Sequence, residues 1–155
     1  MKLGSEMYNH ETNNYSCPFC RMMESGLSVE SDVVYETEYV FACLSLRHHK
    51  NSGPTVLVIP KKHVENIYDI SEFILSEVSS TSKLIALKMR ELWNIEGITM
   101  WQNNEPSGSQ DVWHFHSHVK CRLKNDKIYC GVQVRTDKAQ RVLWATELRQ
   151  YLSAT

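Results

Sequence analysis

Apolar residues along this chain follow two different periods. Over residues 67–93, Ile70, Phe73, Ile74, Val78, Leu84, Leu87, Met89 and Leu92 recur mostly at helical spacing, behind Ser71 as an N-cap. That pattern predicts one long amphipathic helix. Short runs rich in β-branched and aromatic residues predict strands over 33–36, 39–44, 55–59, 98–103, 112–121 and 127–134. Between them, 47–54 is a polar stretch carrying His48 and His49, and 104–111 is rich in turn residues. Thr136 and Asp137 cap a last helix, with Val142, Leu143, Ala145, Leu148 and Leu152 on one face. Residues 1–15 are polar with little apolar pattern and read as a flexible tail, which leaves 16–155 as a single domain. Strands, helix, strands, helix is the order of an α+β domain with a mainly antiparallel sheet.

Bulk properties narrow the function more than the fold. A chain of 155 residues with a net charge of -1 and no basic block lacks the electrostatic footprint of a protein that binds polymeric nucleic acid. A small ligand is the expected partner. No apolar run approaches the roughly 20 residues of a membrane span, and the N-terminal segment lacks a signal-peptide apolar core, so a cytoplasmic location is expected. In that reducing setting an odd set of five cysteines (Cys17, Cys20, Cys43, Cys121, Cys130) argues against a disulfide framework.

Two constellations carry chemistry. His114, His116 and His118 occupy alternate positions, and on an extended chain they share one face, opposite Phe115, Ser117 and Val119. Cys17 and Cys20 enclose two residues, the spacing at which two thiolates share a tetrahedral Zn²⁺. A second such pair, as in a zinc ribbon, is missing, and no thioredoxin-like βαβ pattern follows. Cys20 is also too far from His114 and His118 for a C₂H₂ finger, whose gap is about 12–15 residues. The other ligands must be histidines brought in by folding.

Together these motifs are similar to those of the histidine-triad (HIT) family. The resemblance rests on the run from Gln110 and Asp111 through His114, His116 and His118, preceded by Asn103, Asn104 and Glu105, on the stretch Leu57 to Asn66 containing His63, and on Cys17, Cys20, Tyr35 and Glu36. It spans about residues 17–122 and resembles most the zinc-containing bacterial hydrolases. It implies a small α+β fold, a homodimer with a continuous sheet, and a site for a nucleoside phosphate. It further implies His116 as nucleophile, His118 and Asn103 at the phosphate, Gln110 bonded to the transferred phosphoryl group, and a structural zinc held by Cys17, Cys20, His63 and His114. His48 and His49 stand as fallback ligands should His63 point elsewhere. The expected function is cleavage at the α-phosphorus of a dinucleoside polyphosphate or nucleoside phosphoramidate through a covalent nucleotidyl-histidine; the alternative is a noncatalytic zinc-stabilised nucleotide-binding module. Five features depart from the family pattern. Ser45 stands where many members have a ribose-binding Asp, Arg47 to Ser52 carries a short insertion, Thr55 stands where His is common, Asp111 where Ser or Thr is common, and the run Lys120-Cys121-Arg122 where a more apolar, Pro-containing continuation is expected.

Overall fold

Alternation of apolar residues builds a five-stranded antiparallel sheet whose spatial order is β1 (Val33–Glu36), β2 (Val40–Leu44), β4 (Thr55–Pro60), β6 (Ser117–Arg122) and β5 (Gly97–Gln102). This is the arrangement in the computed structural model of the protein, which describes residues 8–27 and 32–154. Two short strands, β3 (Arg47–His49) and β7 (Gln133–Arg135), pair as a separate sheet. The helices are α1 (Pro18–Glu24), α2 (Glu72–Trp93) and α3 (Lys138–Ser153).

The pleat divides the core between the two faces of the sheet. Val40, Ala42, Leu44, Val56, Val58, Val119 and Cys121 face Val78, Ile85 and Met89 of α2 and Ala145 and Leu148 of α3. Phe41, Cys43, Leu57 and Ile59 point the other way, against Cys17 and Phe19 at the start of α1. β2 and β4 are buried along their whole length because both faces are covered. The sheet is thus sandwiched unevenly: two helices on one side, a small cluster and the polar site on the other.

α2 begins where its cap does, since Ser71 Oγ accepts from the Ile74 N–H. Asp137 likewise accepts from the N–H groups of Ala139 and Gln140 at the start of α3. Four expectations need correction. The strand predicted over 112–121 starts only at Ser117, because His114 N–H bonds to Val112 O at 2.8 Å and the chain bends there. The strand predicted over 127–134 shrinks to β7. Asp126 accepts from the N–H groups of Leu123 and Ile128, and Asn125 and Lys127 are left-handed, which makes a turn of this stretch. The polar stretch after Ser45 contains β3, which finds its partner only in β7, far along the chain. On α3, Val142 and Leu143 are exposed, while Arg141 is buried in an ion pair with Asp32 at 2.9 Å.

Residues 1–7 of the expected tail lie outside the described residues; residues 8–15 run against the 63–66 turn and the 113 region. Glu65, buried, accepts from the backbone N–H groups of His10 and Glu11, Asn66 Nδ2 donates to Asn9 Oδ1 at 2.7 Å, and Tyr15 Oη accepts from Trp113 N–H.

Candidate active site and metal centre

The three triad histidines reach one face of the sheet although only His118 lies in a strand. Phe115, between the first two, is buried in the α-side core and donates its N–H to Val64 O at 2.7 Å. That anchors the segment as extended chain and throws His114 and His116 to the opposite face. Phe19 of α1 stands edge-on to both rings, with centroids 5.7 and 5.3 Å away.

His114 faces the cysteines. Its Nδ1 lies 3.3 Å from Cys17 Sγ, 3.7 Å from Cys20 Sγ and 3.1 Å from His63 Nδ1, and Cys20 Sγ is 3.3 Å from His63 Nδ1. All four donor atoms fall within 4.8 Å of one another. Zinc bonded tetrahedrally at ~2.3 Å to sulfur and ~2.0–2.1 Å to nitrogen separates its ligands by about 3.3–3.8 Å, so the cluster matches a zinc tetrahedron in size and in donor set. Burial, and then Cys17 beside it, push the Cys20 thiol up to about 12, the state of crowded sulfurs that a cation would deprotonate. The outer nitrogens are also oriented: His114 Nε2 donates to Pro60 O at 2.9 Å, and His63 Nε2 pairs with Glu11 Oε2 at 2.9 Å. His48 and His49 do not reach the cluster. His48 bonds to Thr136 Oγ1, and His49 lies against Trp101.

His116 is turned from the metal cluster. Its Nδ1 donates to His114 O at 2.8 Å, a bond that only a protonated Nδ1 can make, so in the neutral ring Nε2 carries the lone pair. Burial holds its pKa down more than the His114 carbonyl and the Asp111 carboxylate raise it, which keeps the ring neutral near pH 7. Nε2 faces the exposed Asp111, whose Oδ1 is 3.8 Å away. The His118 ring centroid is 4.8 Å from that of His116, and its Nε2 is buried without a partner. Burial, with His116 and Lys120 adding to it, pushes the His118 pKa down to about 2.

A cavity of about 470 Å³ opens beside the His118 ring, lined also by His49, Trp101, Asn103, Gly108, Ser109, Asp111, Lys120 and Gln133. Asn103 borders it and donates from Nδ2 to Ser109 O at 3.1 Å. The Gln110 amide points elsewhere. Its Oε1 accepts from Glu105 N–H, and its Nε2 donates to the carbonyls of Glu65 and Val112. Buried and fully bonded, Gln110 shapes the 105–112 loop from within. Ser45 sits at the end of β2, where its Oγ accepts from Arg47 N–H and its own N–H bonds to Thr55 O. Ser45 and Thr55 therefore lie level with Lys120, across β4.

Sequence reasoning missed Glu11, hidden in a segment read as tail, and the pocket residues Trp101 and Gln133; it named His49 only as a fallback metal ligand and Lys120 only within a departure from the family pattern. For Lys120 a signal existed, because it continues the alternate positions 114, 116 and 118 by one more step.

The HIT domain family model matches residues 27–125. "Protein hit" of Bacillus subtilis is 32% identical over 104 residues, 67% of this chain and 69% of that protein. The adenosine 5'-monophosphoramidase HNT1 of Saccharomyces cerevisiae is 28% identical over 108 residues, 70% of this chain and 63% of its own. The crystal structure of a Zn-bound histidine triad family protein from Mycobacterium smegmatis superposes with a TM-score of 0.72 at 26% identity, covering 90% of this chain and 98% of that one.

Proposed function

Because the chain belongs to the HIT domain family, we propose that it is a nucleotide hydrolase or transferase that cleaves a nucleoside phosphate derivative at its α-phosphorus, with His116 as nucleophile. The observation that carries this reading is the division of the His116 ring: Nδ1 is spent on the His114 carbonyl, and the basic Nε2 faces Asp111, a residue of the cavity wall. A neutral imidazole so oriented attacks phosphorus without first losing a proton. As the P–Nε2 bond forms, the bond from phosphorus to the leaving group breaks, and the leaving group departs with the electron pair and takes a proton from solvent. Water then attacks the same phosphorus, the P–N bond breaks with its pair returning to Nε2, and the water proton passes to solvent. His118 and Asn103 border the space where the phosphate oxygens would lie. The activity of the yeast relative, an adenosine 5'-monophosphoramidase, makes nucleoside phosphoramidates one substrate class to assay, and dinucleoside polyphosphates are the other.

Zinc bound by Cys17, Cys20, His63 and His114 serves structure, since four protein ligands leave no open position for substrate or water. It fastens α1, the 61–66 turn and the triad segment together and so holds His116 in aim. A homodimer joined along β5 and α2 fits the same reading: β5 ends the sheet with one unpaired edge, and Met100 on β5 and Leu87 on α2 are half-exposed apolar side chains.

The decisive test is rapid acid-free quenching of the protein with a labelled nucleoside phosphoramidate or dinucleoside polyphosphate, followed by peptide mapping. An acid-labile nucleotidyl adduct on His116 is expected. Tight nucleotide binding with neither turnover nor adduct would leave the noncatalytic binding module as the better reading.

A further inference from the structure

The cavity that His118 and Asn103 border is also lined by residues that the proposed reaction does not use, Lys120 among them. Lys120 follows His118 by two positions on β6, so the pleat directs it to the same face, about 7 Å further along the strand. Its residue is 3% exposed, yet no carboxylate pairs with it among the described residues. Its Nζ lies 3.8 Å from the centroid of the Trp101 ring. The indole face compensates a buried ammonium only in part. Burial, partly opposed by the charge of Asp111, lowers the Lys120 pKa to about 8.

Two further nitrogens here lack partners. His49 is buried and its Nδ1 bonds to nothing, and His118 Nε2 is in the same state. His49 is carried by β3, and β7 places Gln133 directly opposite it. The β3–β7 sheet thus contributes polar groups from two distant parts of the chain to the wall of that cavity. The one acid on this wall, Asp111, is exposed and approaches His116 Nε2 rather than pairing with Lys120, so a buried cation without a carboxylate partner, beside two imidazole nitrogens without hydrogen-bond partners, calls for an anion.

We infer that Lys120, with His49 and Trp101, forms a second anion-binding subsite that takes a negatively charged group of the substrate other than the phosphate attacked by His116. The inference rests on the nucleotide reading given above and deepens it: substrates with two separated anionic groups are preferred over those with one. The second group is a phosphate, carried either on the chain beyond the reacting phosphorus or on the ribose.

Calorimetric titration of zinc-loaded wild-type protein and of Lys120→Met with AMP, ADP, adenosine 3',5'-bisphosphate and inorganic pyrophosphate tests the subsite. One of the two bisphosphorylated nucleotides should bind the wild type about ten-fold or more tighter than AMP. ADP carrying the advantage assigns the subsite to the phosphate chain, and the 3',5'-bisphosphate assigns it to the ribose. Lys120→Met should erase the advantage and leave AMP affinity within about two-fold, and Lys120→Arg should restore it. Wild-type protein that shows no such preference overturns the subsite without recourse to any variant. So does a Lys120→Met protein that keeps the preference, or one that loses AMP as severely as the bisphosphates; His116 chemistry survives either result. If no nucleotide binds, the nucleotide reading fails instead. Pyrophosphate then decides alone: binding that depends on Lys120 supports the subsite, and absence of binding overturns it.

Discussion

The roles of the triad residues follow from which ring nitrogen is engaged and by what. His114 offers Nδ1 to the cysteine cluster, and His116, two residues on, keeps Nε2 free. His116→Ala should therefore abolish turnover, by about 10³-fold or more, while zinc content and circular dichroism stay those of the wild type. His114→Ala should lose metal, read by elemental analysis, and melt earlier. A His116→Ala protein with near-normal turnover would rule out the proposed nucleophile. Glu11 acts through another residue, since its carboxylate orients the His63 ring. Glu11→Gln should weaken zinc about 10–100-fold in a competitive chelator titration, with Glu11→Ala at least as severe. Unchanged affinity in both would reduce the pair to a surface contact.

Side chains bonding to backbone fix the ends of several elements in this protein. The β6 end illustrates it: Asp126 is buried, receives two bonds from Arg122 and accepts from the N–H groups of Leu123 and Ile128. Arg122, chiefly, and those N–H groups hold its carboxyl down to about 2 against the opposing effect of burial. Because the folded value lies below the unfolded one, the stabilisation is full above about pH 4 and is lost as pH falls through about 2. Asp126→Asn should cost about 1–3 kcal/mol at pH 7. The gap between its melting temperature and that of the wild type should close between about pH 4 and about pH 2. A gap independent of pH would show that charge is not its cause. At the N-terminus of α2, Ser71→Ala should cost about 0.5–2 kcal/mol in urea unfolding, since it deprives Ile74 N–H of its acceptor.

On the scale of the whole molecule, one cluster of two cysteines and two histidines joins parts that lie almost a hundred residues apart, from Cys17 to His114. The sheet and its helices bury a core of their own, so chelation should loosen the domain without dissolving it. A fall of roughly 5–15 °C in melting temperature, restored by added zinc, is expected for a chain of this size. Identical melting with and without metal would remove the structural role. Light scattering should report a species of twice the 18.0 kDa chain mass. Only the single-chain mass at micromolar concentration would exclude the dimer. No helix among the described residues is long and apolar enough to cross a membrane.

Local pattern determined much of this protein. The period of apolar positions specified α2 and most sheet strands, Ser71 and Asp137 marked the helix starts, and alternation placed three imidazoles on one face, because each signal depends on residues a few positions apart. Cys17 and Cys20 announced half of the Cys/His cluster for the same reason. Other features depend on contacts between distant segments. Tertiary structure made the triad strand begin at Ser117 rather than Val112, bonded the Gln110 amide to the distant Glu65 carbonyl, bound Glu11 to His63, and paired β3 with β7 beside Lys120. Each of those outcomes was decided by which hydrogen-bonding group found a partner across the fold, and a buried polar group that finds one is stable in a conformation that its own neighbours along the chain do not favour.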